Sequence, residues 1–165
     1  MPFKINVKFL GLETDKHMNW KTHTEFMLPK LNTVSYVIGC LKHYSTIETL
    51  TMVYCVNFDS AMMYEIIFWG NSIDSNKVFL QQKRTVRAIL GINPRSTCKP
   101  HFKTLGILKM PSQYIVSLIE FFINNLAYFS LNSEIHNKFT RNKTCLYVPQ
   151  VYIKVFNSLP KCKAD

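Results

Sequence analysis

The sequence predicts a mainly α-helical bundle with a short N-terminal strand or hairpin remnant. Apolar residues recur at helical spacing in several stretches, whereas alternation with period two is found at the N-terminus. The chain has 165 residues, and 47% of them are hydrophobic. A chain of this length and composition is about one domain and can bury a core.

The N-terminal residues predict a strand. Ile5, Val7 and Phe9 alternate with polar residues up to Gly11, which is the pattern of a half-buried strand. Because a lone strand leaves its ladder groups unpaired, we expect it to pair with a later segment or with upstream residues.

The first helix is predicted from about Trp20 to Leu41, where apolar residues recur every three or four positions. Pro29 lies in its interior and removes one helical hydrogen bond. We therefore expect a kink or a split near Glu25 and Phe26.

A second helix is predicted to follow a capping box made by Ser45 and Glu48. Its apolar positions continue to Trp69, with a candidate break around Asp59 and Ser60. The Gly-Asn-Ser sequence after Trp69 is typical of a helix end.

The third helix, predicted from Ser75 to Leu90, separates apolar from basic residues. At 100° per residue, one side carries the apolar positions Val78, Phe79, Val86, Ile89 and Leu90. A sector of about 120° on the other side carries Lys77, Leu80, Lys83, Arg84 and Arg87. One side should pack on a core, and the other should present four cations with no acid nearby.

Two further helices are predicted downstream. Ser96 or Thr97 can cap a short helix that runs to Leu105. Pro111 opens a longer one that reaches Phe129, and the remaining residues read as an irregular tail.

The positive charge is concentrated rather than spread. The formal net charge is +10, and no carboxylate occurs between Asp74 and Glu120. Such a surface attracts polyanions and binds them through counterion release, which favours nucleic acid; a solvated face without a partner is the alternative. The candidate nucleic-acid-binding residues are Lys77, Lys83, Arg84, Arg87, Arg95 and Lys99.

The sequence lacks the motifs of common catalytic sites. It has no Asp-Asp pair, no phosphate-binding glycine loop and no nucleophile elbow. Cys98 and His101 have the spacing of half a zinc site, but no second pair follows. We therefore expect no enzyme activity, no metal and no cofactor.

The compartment is predicted from the cysteines and the N-terminus. The five cysteines are odd in number and form no C-x-x-C pair, which favours a reducing environment. The first residues have no apolar signal region, and no stretch is long and apolar enough to span a bilayer. The expectation is an intracellular protein without membrane contact, in the cytoplasm or the nucleus.

Several strings in register resemble one family. They are VKFLGLETDKHMNW (7–20), YEIIFWGN (64–71), FLQQKRTVRAILG (79–91), STCKPHFKTLGILKMPSQYI (96–115), HNKFTRNK (136–143) and KVFNSLP (154–160). Together they resemble the carboxy-terminal part of reverse transcriptases from non-LTR retrotransposons of the jockey type.

The resemblance implies an organisation in three parts. Residues 1–19 would be the end of the palm, 20–91 a thumb-like helical bundle, and 92–165 a downstream helical segment with an irregular tail. In this family the thumb tracks the minor groove and backbone of the template-primer duplex.

The same resemblance assigns roles to the third helix. Gln82, Lys83, Arg84 and Arg87 stand where the family has its Q-K-R-x-x-R stretch, which implies phosphate contact. We expect Trp69 and Phe79 to pack in the core rather than stack on bases.

The chain also departs from the family pattern. The palm with its catalytic carboxylates would precede Met1, Glu65 stands where the family has glycine, and Pro29 interrupts a helix. The resemblance thus implies a non-catalytic fragment that binds RNA or RNA–DNA duplex without sequence preference, with a palm domain as a further partner. The alternatives are a helical protein-interaction module and a transposon relic without function.

Overall fold

The computed structural model describes residues 7–14, 18–135 and 141–147, and this part of the chain is mainly α-helical, as predicted. The strands are β1 (Val7–Phe9) and β2 (Leu12–Thr14). The helices are α1 (Lys21–Leu41), α2 (Ile47–Val53), α3 (Ser60–Met63), α4 (Ile66–Trp69), α5 (Ser75–Leu90), α6 (Lys99–Thr104), α7 (Met110–Asn124) and α8 (Asn132–Ile135).

The chain forms two compact units, Met1–Ile119 and Glu120–Asp165. The domain boundaries predicted after residues 19 and 91 stay predictions. Among the described residues, no helix is both long and apolar enough to cross a membrane.

The predicted N-terminal strand pairs with the residues that directly follow it. β1 and β2 are antiparallel, with Val7 opposite Thr14. Leu10 and Gly11 form the turn, with φ values of 47° and 88°. Two consecutive residues with positive φ are typical of a tight hairpin, because their twist matches that of the strands. Ile5 lies outside the described residues.

Helix α1 runs without interruption through Pro29, so of the predicted kink or split the split is wrong, and the kink stays a prediction. Pro29 is exposed, and the side of α1 that carries Met27, Leu31 and Ile38 is buried. This buried side packs mainly on α5. Burial of three large apolar side chains offsets the one hydrogen bond that proline removes.

The second helix starts and breaks at positions other than those predicted. Thr46, not Ser45, is the N-cap, and its Oγ1 accepts from the Thr49 N–H at 3.4 Å. No break occurs at Asp59 and Ser60, because a π-helical turn, Tyr54–Asp59, joins α2 to α3. The break comes instead at Glu65, whose φ is 51°.

The downstream helices also differ at their ends. The N-cap of α6 is Cys98, with no side-chain cap, rather than Ser96 or Thr97. Helix α7 ends at Asn124, five residues before the predicted Phe129, and a 3₁₀ turn follows at Leu126–Tyr128. The Asn125 side chain donates to the Phe121 carbonyl at 2.8 Å, a local bond that competes with helical continuation.

A buried glutamine joins three parts of the first unit. The Gln82 amide donates to the Tyr54 hydroxyl and to the Leu108 carbonyl, both at 2.9 Å. Its Oε1 accepts from the Met110 N–H at 2.9 Å. Because all these groups are paired, the buried amide is satisfied and fixes the start of α7 against α5. Trp69 is fully buried, as predicted, and its indole N–H donates to the Tyr64 carbonyl at 3.0 Å.

The second unit contains short local elements. Phe122 and Phe129 pack with ring centroids 5.0 Å apart, and Leu131 forms an isolated antiparallel bridge with Leu146. The tail predicted as irregular thus has some order over the part that the structure describes.

Candidate nucleic-acid interface

Helix α5 has the bounds that the sequence predicts, and it presents the basic residues. Val78, Val86 and Ile89 are buried, while Phe79 and Leu90 are half-buried. The helix ends in a turn that closes at Gly91, whose φ is 66°, with the Ile92 N–H donating to the Arg87 carbonyl. The left-handed residue explains why glycine stands here.

Lys77 forms an ion pair with a carboxylate. Its Nζ lies 2.8 Å from Asp74 Oδ1, and this hydrogen bond raises the pKa of Lys77, with smaller contributions that include the charge of Glu25 on α1. The expectation that no acid lies near the four cations is therefore wrong at Lys77. The reason is that Asp74 lies one turn before Lys77, at the residue that precedes α5.

Lys83 rests on an aromatic ring. Its Nζ lies 4.0 Å from the centroid of Phe79, and the Phe79 ring in turn lies 6.4 Å from that of Phe102 on α6. A cation over a ring face is attracted without losing its charge. Phe79 is thus packed between α5 and α6, as expected for a core residue, and it supports Lys83.

Arg87 and Lys83 are both attached to the segment that leads into α6. Arg87 Nε donates to the Ser96 carbonyl at 3.1 Å. The Cys98 thiol donates to the Lys83 carbonyl at 3.4 Å, and Cys98 is buried. These two contacts hold residues 95–99 against the side of α5 that carries Lys83 and Arg87.

Arg84 leans to the opposite side, toward α1. Its Nη1 donates to Gln81 Oε1 at 3.4 Å, and the Gln81 amide donates to Ser35 Oγ at 2.8 Å. Ser35 Oγ also lies 2.6 Å from the Thr85 hydroxyl. The exposed guanidinium of Arg84 is therefore oriented by a polar network between α1 and α5.

Arg95 and Lys99 are exposed on either side of Ser96 and Cys98. The Arg95 N–H donates to Asn93 Oδ1 at 2.9 Å, which fixes the turn before α6. Of the six predicted site residues, Lys83 and Arg87 lie on the part of α5 that contacts Ser96 and Cys98, and Arg95 and Lys99 flank these two contact residues in the sequence. Lys77 and Arg84 share the helix but have other surroundings.

The other five candidate residues differ from Lys77 in their partners. In the part of the chain that the structure describes, none of Lys83, Arg84, Arg87, Arg95 and Lys99 is ion-paired with a carboxylate. The partners of Lys83, Arg84 and Arg87 are a ring, an amide oxygen and a backbone carbonyl, respectively, and all three are neutral. Neutral partners orient a cation and leave its positive charge available to an external anion.

One nearby cation has no signal in the sequence. A Cβ at Gly91 would collide with the ammonium group of Lys42, which places Lys42 at the C-terminal turn of α5. The free carbonyls of a helix C-terminus favour a cation there. Only the packing of α1 against α5 reveals this position.

Cys98 and His101 have no further potential metal ligands close by in the part of the chain that the structure describes. Among the described residues, no group of three or more potential ligands is close enough to hold a metal ion. Cys98 instead serves as a buried free thiol that ties α6 to α5.

No protein-family model, curated protein or solved structure matches this chain. The geometry of α5 and of the residues packed beside it is therefore the evidence for the function of this chain.

Proposed function

We propose that this chain binds the sugar-phosphate backbone of nucleic acid without sequence preference, as a non-catalytic, thumb-like part of a non-LTR retrotransposon reverse transcriptase. The observation that carries the proposal is the set of unpaired cations on α5 and in the segment that follows it. Lys83, Arg84 and Arg87 are held by neutral partners only.

Oriented cations suit phosphate binding for two reasons. An arginine whose Nε is already hydrogen-bonded loses less side-chain entropy when its remaining N–H groups meet a phosphate. Each phosphate neutralised also releases condensed counterions, which supplies sequence-independent affinity. Arg87 meets the first condition through the Ser96 carbonyl.

The backbone at Glu65 supports the family resemblance. Glu65 adopts φ 51°, a left-handed conformation that glycine accepts without steric cost. The family pattern has glycine at this position, directly before I-x-x-W-G. The conformation that the chain adopts here is therefore the one that the family residue would favour.

Apolar residues near the hairpin are exposed, which supports a palm domain as a partner. Leu10 is 72% exposed, and its carbonyl accepts a hydrogen bond from the Tyr64 hydroxyl. Phe68 is exposed and packs against Trp20, with ring centroids 6.1 Å apart. In the proposed family a palm domain precedes this region and would cover these side chains.

The test is the salt dependence of binding by a variant with three cations removed. The variant is Lys83→Gln/Arg84→Gln/Arg87→Gln, and the probe is a labelled 20-base-pair DNA duplex in fluorescence anisotropy. Each phosphate contact contributes about −0.9 to the slope of log K against log salt on duplex DNA. We expect the slope to become less negative by about 2.7 if all three contacts are lost.

The matched control removes three exposed lysines elsewhere, Lys8→Gln/Lys21→Gln/Lys30→Gln, with the same change in net charge. Its slope should stay at the wild-type value. Equal slopes in the two triple variants would contradict the proposal, because binding would then follow overall charge alone. Circular dichroism of both variants verifies that they are folded.

A further inference from the structure

One threonine combines exposure with basic residues on both sides. Among the serines and threonines of the sequence, Thr85 and Thr97 alone have Lys or Arg both two positions before and two positions after them. Thr85 is fully buried in α5, and its hydroxyl donates to the Gln81 carbonyl at 3.0 Å. Thr97 is exposed and lies between the end of α5 and the start of α6. A macromolecule in solution can therefore reach Thr97 and not Thr85.

The residues that flank Thr97 are those that an acidic binding cleft selects. Arg95 and Lys99 are both exposed, and neither is ion-paired with a carboxylate in the part of the chain that the structure describes. No carboxylate occurs in the sequence between Asp74 and Glu120, so nothing near Thr97 repels an acidic partner. Complementary charge of this kind attracts and orients a partner. A serine/threonine kinase with an acidic cleft therefore fits this segment.

Resting on the proposed function, we infer that Thr97 is a phosphorylation site for such a kinase, and that its phosphate weakens the binding of nucleic acid. The Thr97 hydroxyl oxygen attacks the terminal phosphorus of ATP. The bond from this phosphorus to the bridging oxygen of ADP breaks, and the hydroxyl proton passes to a carboxylate of the kinase. The product is phosphothreonine, which carries a charge of about −1.5 to −2 at pH 7.

The packing of the segment brings this negative charge to the proposed binding surface. The carbonyl of the residue before Thr97 accepts a hydrogen bond from Arg87, and the thiol of the residue after it donates to the Lys83 carbonyl. Because consecutive Cα atoms are about 3.8 Å apart, the phosphate is attached within one residue of two contacts with α5. Arg95 and Lys99 lie two residues away on either side. The phosphate therefore offsets positive charge that otherwise binds nucleic acid.

The first measurement locates the phosphate. The full chain is incubated with ATP and a purified serine/threonine kinase that selects basic residues on both sides of the hydroxyl, and its peptides are analysed by mass spectrometry. We expect phosphate on Thr97 and none on Thr85 or Thr104. Thr104 is the internal control, because it is exposed, its hydroxyl donates to the Pro100 carbonyl at 3.3 Å, and neither residue two positions away is basic. Absence of phosphate from Thr97 would overturn the site.

Paired variants test whether the flanking cations are recognised. Arg95→Gln/Lys99→Gln should lose most of the phosphate incorporated at Thr97, because the acidic cleft loses both of its partners. Lys21→Gln/Lys30→Gln, at exposed positions of α1, removes the same charge and should keep the wild-type incorporation. Equal incorporation in the two variants would overturn recognition through the flanking cations.

Anisotropy with the 20-base-pair duplex tests the effect of the phosphate on binding. A charge of about −1.5 to −2 offsets a similar number of cations, so the slope of log K against log salt should become less negative by about 1.4–1.8. The variant Thr97→Val, treated with the kinase in the same way, should keep the slope of the unmodified protein. A slope that is unchanged after Thr97 is phosphorylated would overturn the regulation.

Failure of the inference and failure of the proposed function give different results. If the unmodified protein binds the duplex with a salt-dependent affinity but Thr97 takes up no phosphate, the inference is overturned and the proposed function stands. If the unmodified protein shows no salt-dependent binding, the proposed function and the regulation are both overturned, whatever the mass spectra show.

Discussion

Glu65 adopts a left-handed backbone conformation, φ 51°, between α3 and α4. This conformation costs a residue with a side chain about 1–2 kcal/mol, because Cβ approaches the following carbonyl oxygen. The break it makes allows the Trp69 indole to reach the Tyr64 carbonyl and to fill the core. One strained residue thus positions a large buried side chain.

We predict that Glu65→Gly stabilises the protein. Glycine relieves the left-handed strain but loses more backbone entropy on folding, so the expected net gain is about 0.5–1 kcal/mol. Urea unfolding followed by circular dichroism measures it. The matched control Glu25→Gly, in the right-handed interior of α1, should lose about 1 kcal/mol. A loss at both positions would contradict the role assigned to Glu65.

His23 predicts a pH dependence of stability. It is buried against Trp69, and its Nδ1 has no hydrogen-bond partner among the described residues. Burial lowers the pKa of His23, the charge of Glu13 raises it, and the charge of Lys30 lowers it, with burial the largest effect. The unfolded chain therefore binds a proton more readily than the folded protein, so stability is present above about pH 6.5 and falls below it.

The variant His23→Phe should lose less stability at low pH than the wild-type protein. Urea midpoints at pH 7 and pH 5 should differ less in the variant than in the wild-type protein. His43→Gln, at an exposed position, serves as the control and should keep the wild-type difference. An unchanged difference in His23→Phe would show that other groups cause the pH dependence.

At the scale of elements, helices with strong periodicity could be predicted, whereas the caps and breaks of several of them could not. The bounds of α5 agree with the sequence prediction, because its apolar stripe and Gly91 give unambiguous signals. The cap at Thr46 and the π-helical turn Tyr54–Asp59 were missed, since both depend on how α2 packs rather than on composition. The sequence predicts a strand or hairpin remnant at the N-terminus but does not locate the turn, because Leu10, at positive φ, is not a typical turn residue.

The same comparison holds for the candidate site. The sequence identifies the cations of α5 from helical periodicity alone. It does not show that Asp74 pairs with Lys77, or that Ser96 and Cys98, which lie between Arg95 and Lys99, contact α5. These contacts join residues of separate elements, and the periodicity of one helix cannot reveal them.

Replacing Pro29 should increase the stability of the protein through α1. The structure keeps α1 continuous although proline supplies no N–H to the Glu25 carbonyl. Pro29→Ala restores that donor at an exposed position, and we expect a gain of up to about 3 kcal/mol. Thermal unfolding measures the change. Pro100→Ala, in the first turn of α6 where proline is tolerated, is the control and should have little effect. No gain at Pro29 would mean that the helix is already adapted to it.

At the scale of the whole molecule, two surfaces suggest different partners. The cations of α5 and α6 favour a polyanion, which is the proposal made above. The exposed residues Ile115, Val116 and Ile119 on α7 favour the alternative of a protein-interaction module. Salt distinguishes them, because electrostatic binding weakens as salt increases and apolar association does not.

The most direct test is a two-dimensional ¹H–¹⁵N NMR titration of the protein with the 20-base-pair duplex at low salt, repeated at high salt. We predict that signals of residues 83–99, including the arginine Nε–H groups of Arg87 and Arg95, shift at low salt and return at high salt. Signals of α2 and α3 should stay unchanged. Shifts confined to α7, or absent from residues 83–99, would contradict the claim that the α5–α6 surface binds nucleic acid.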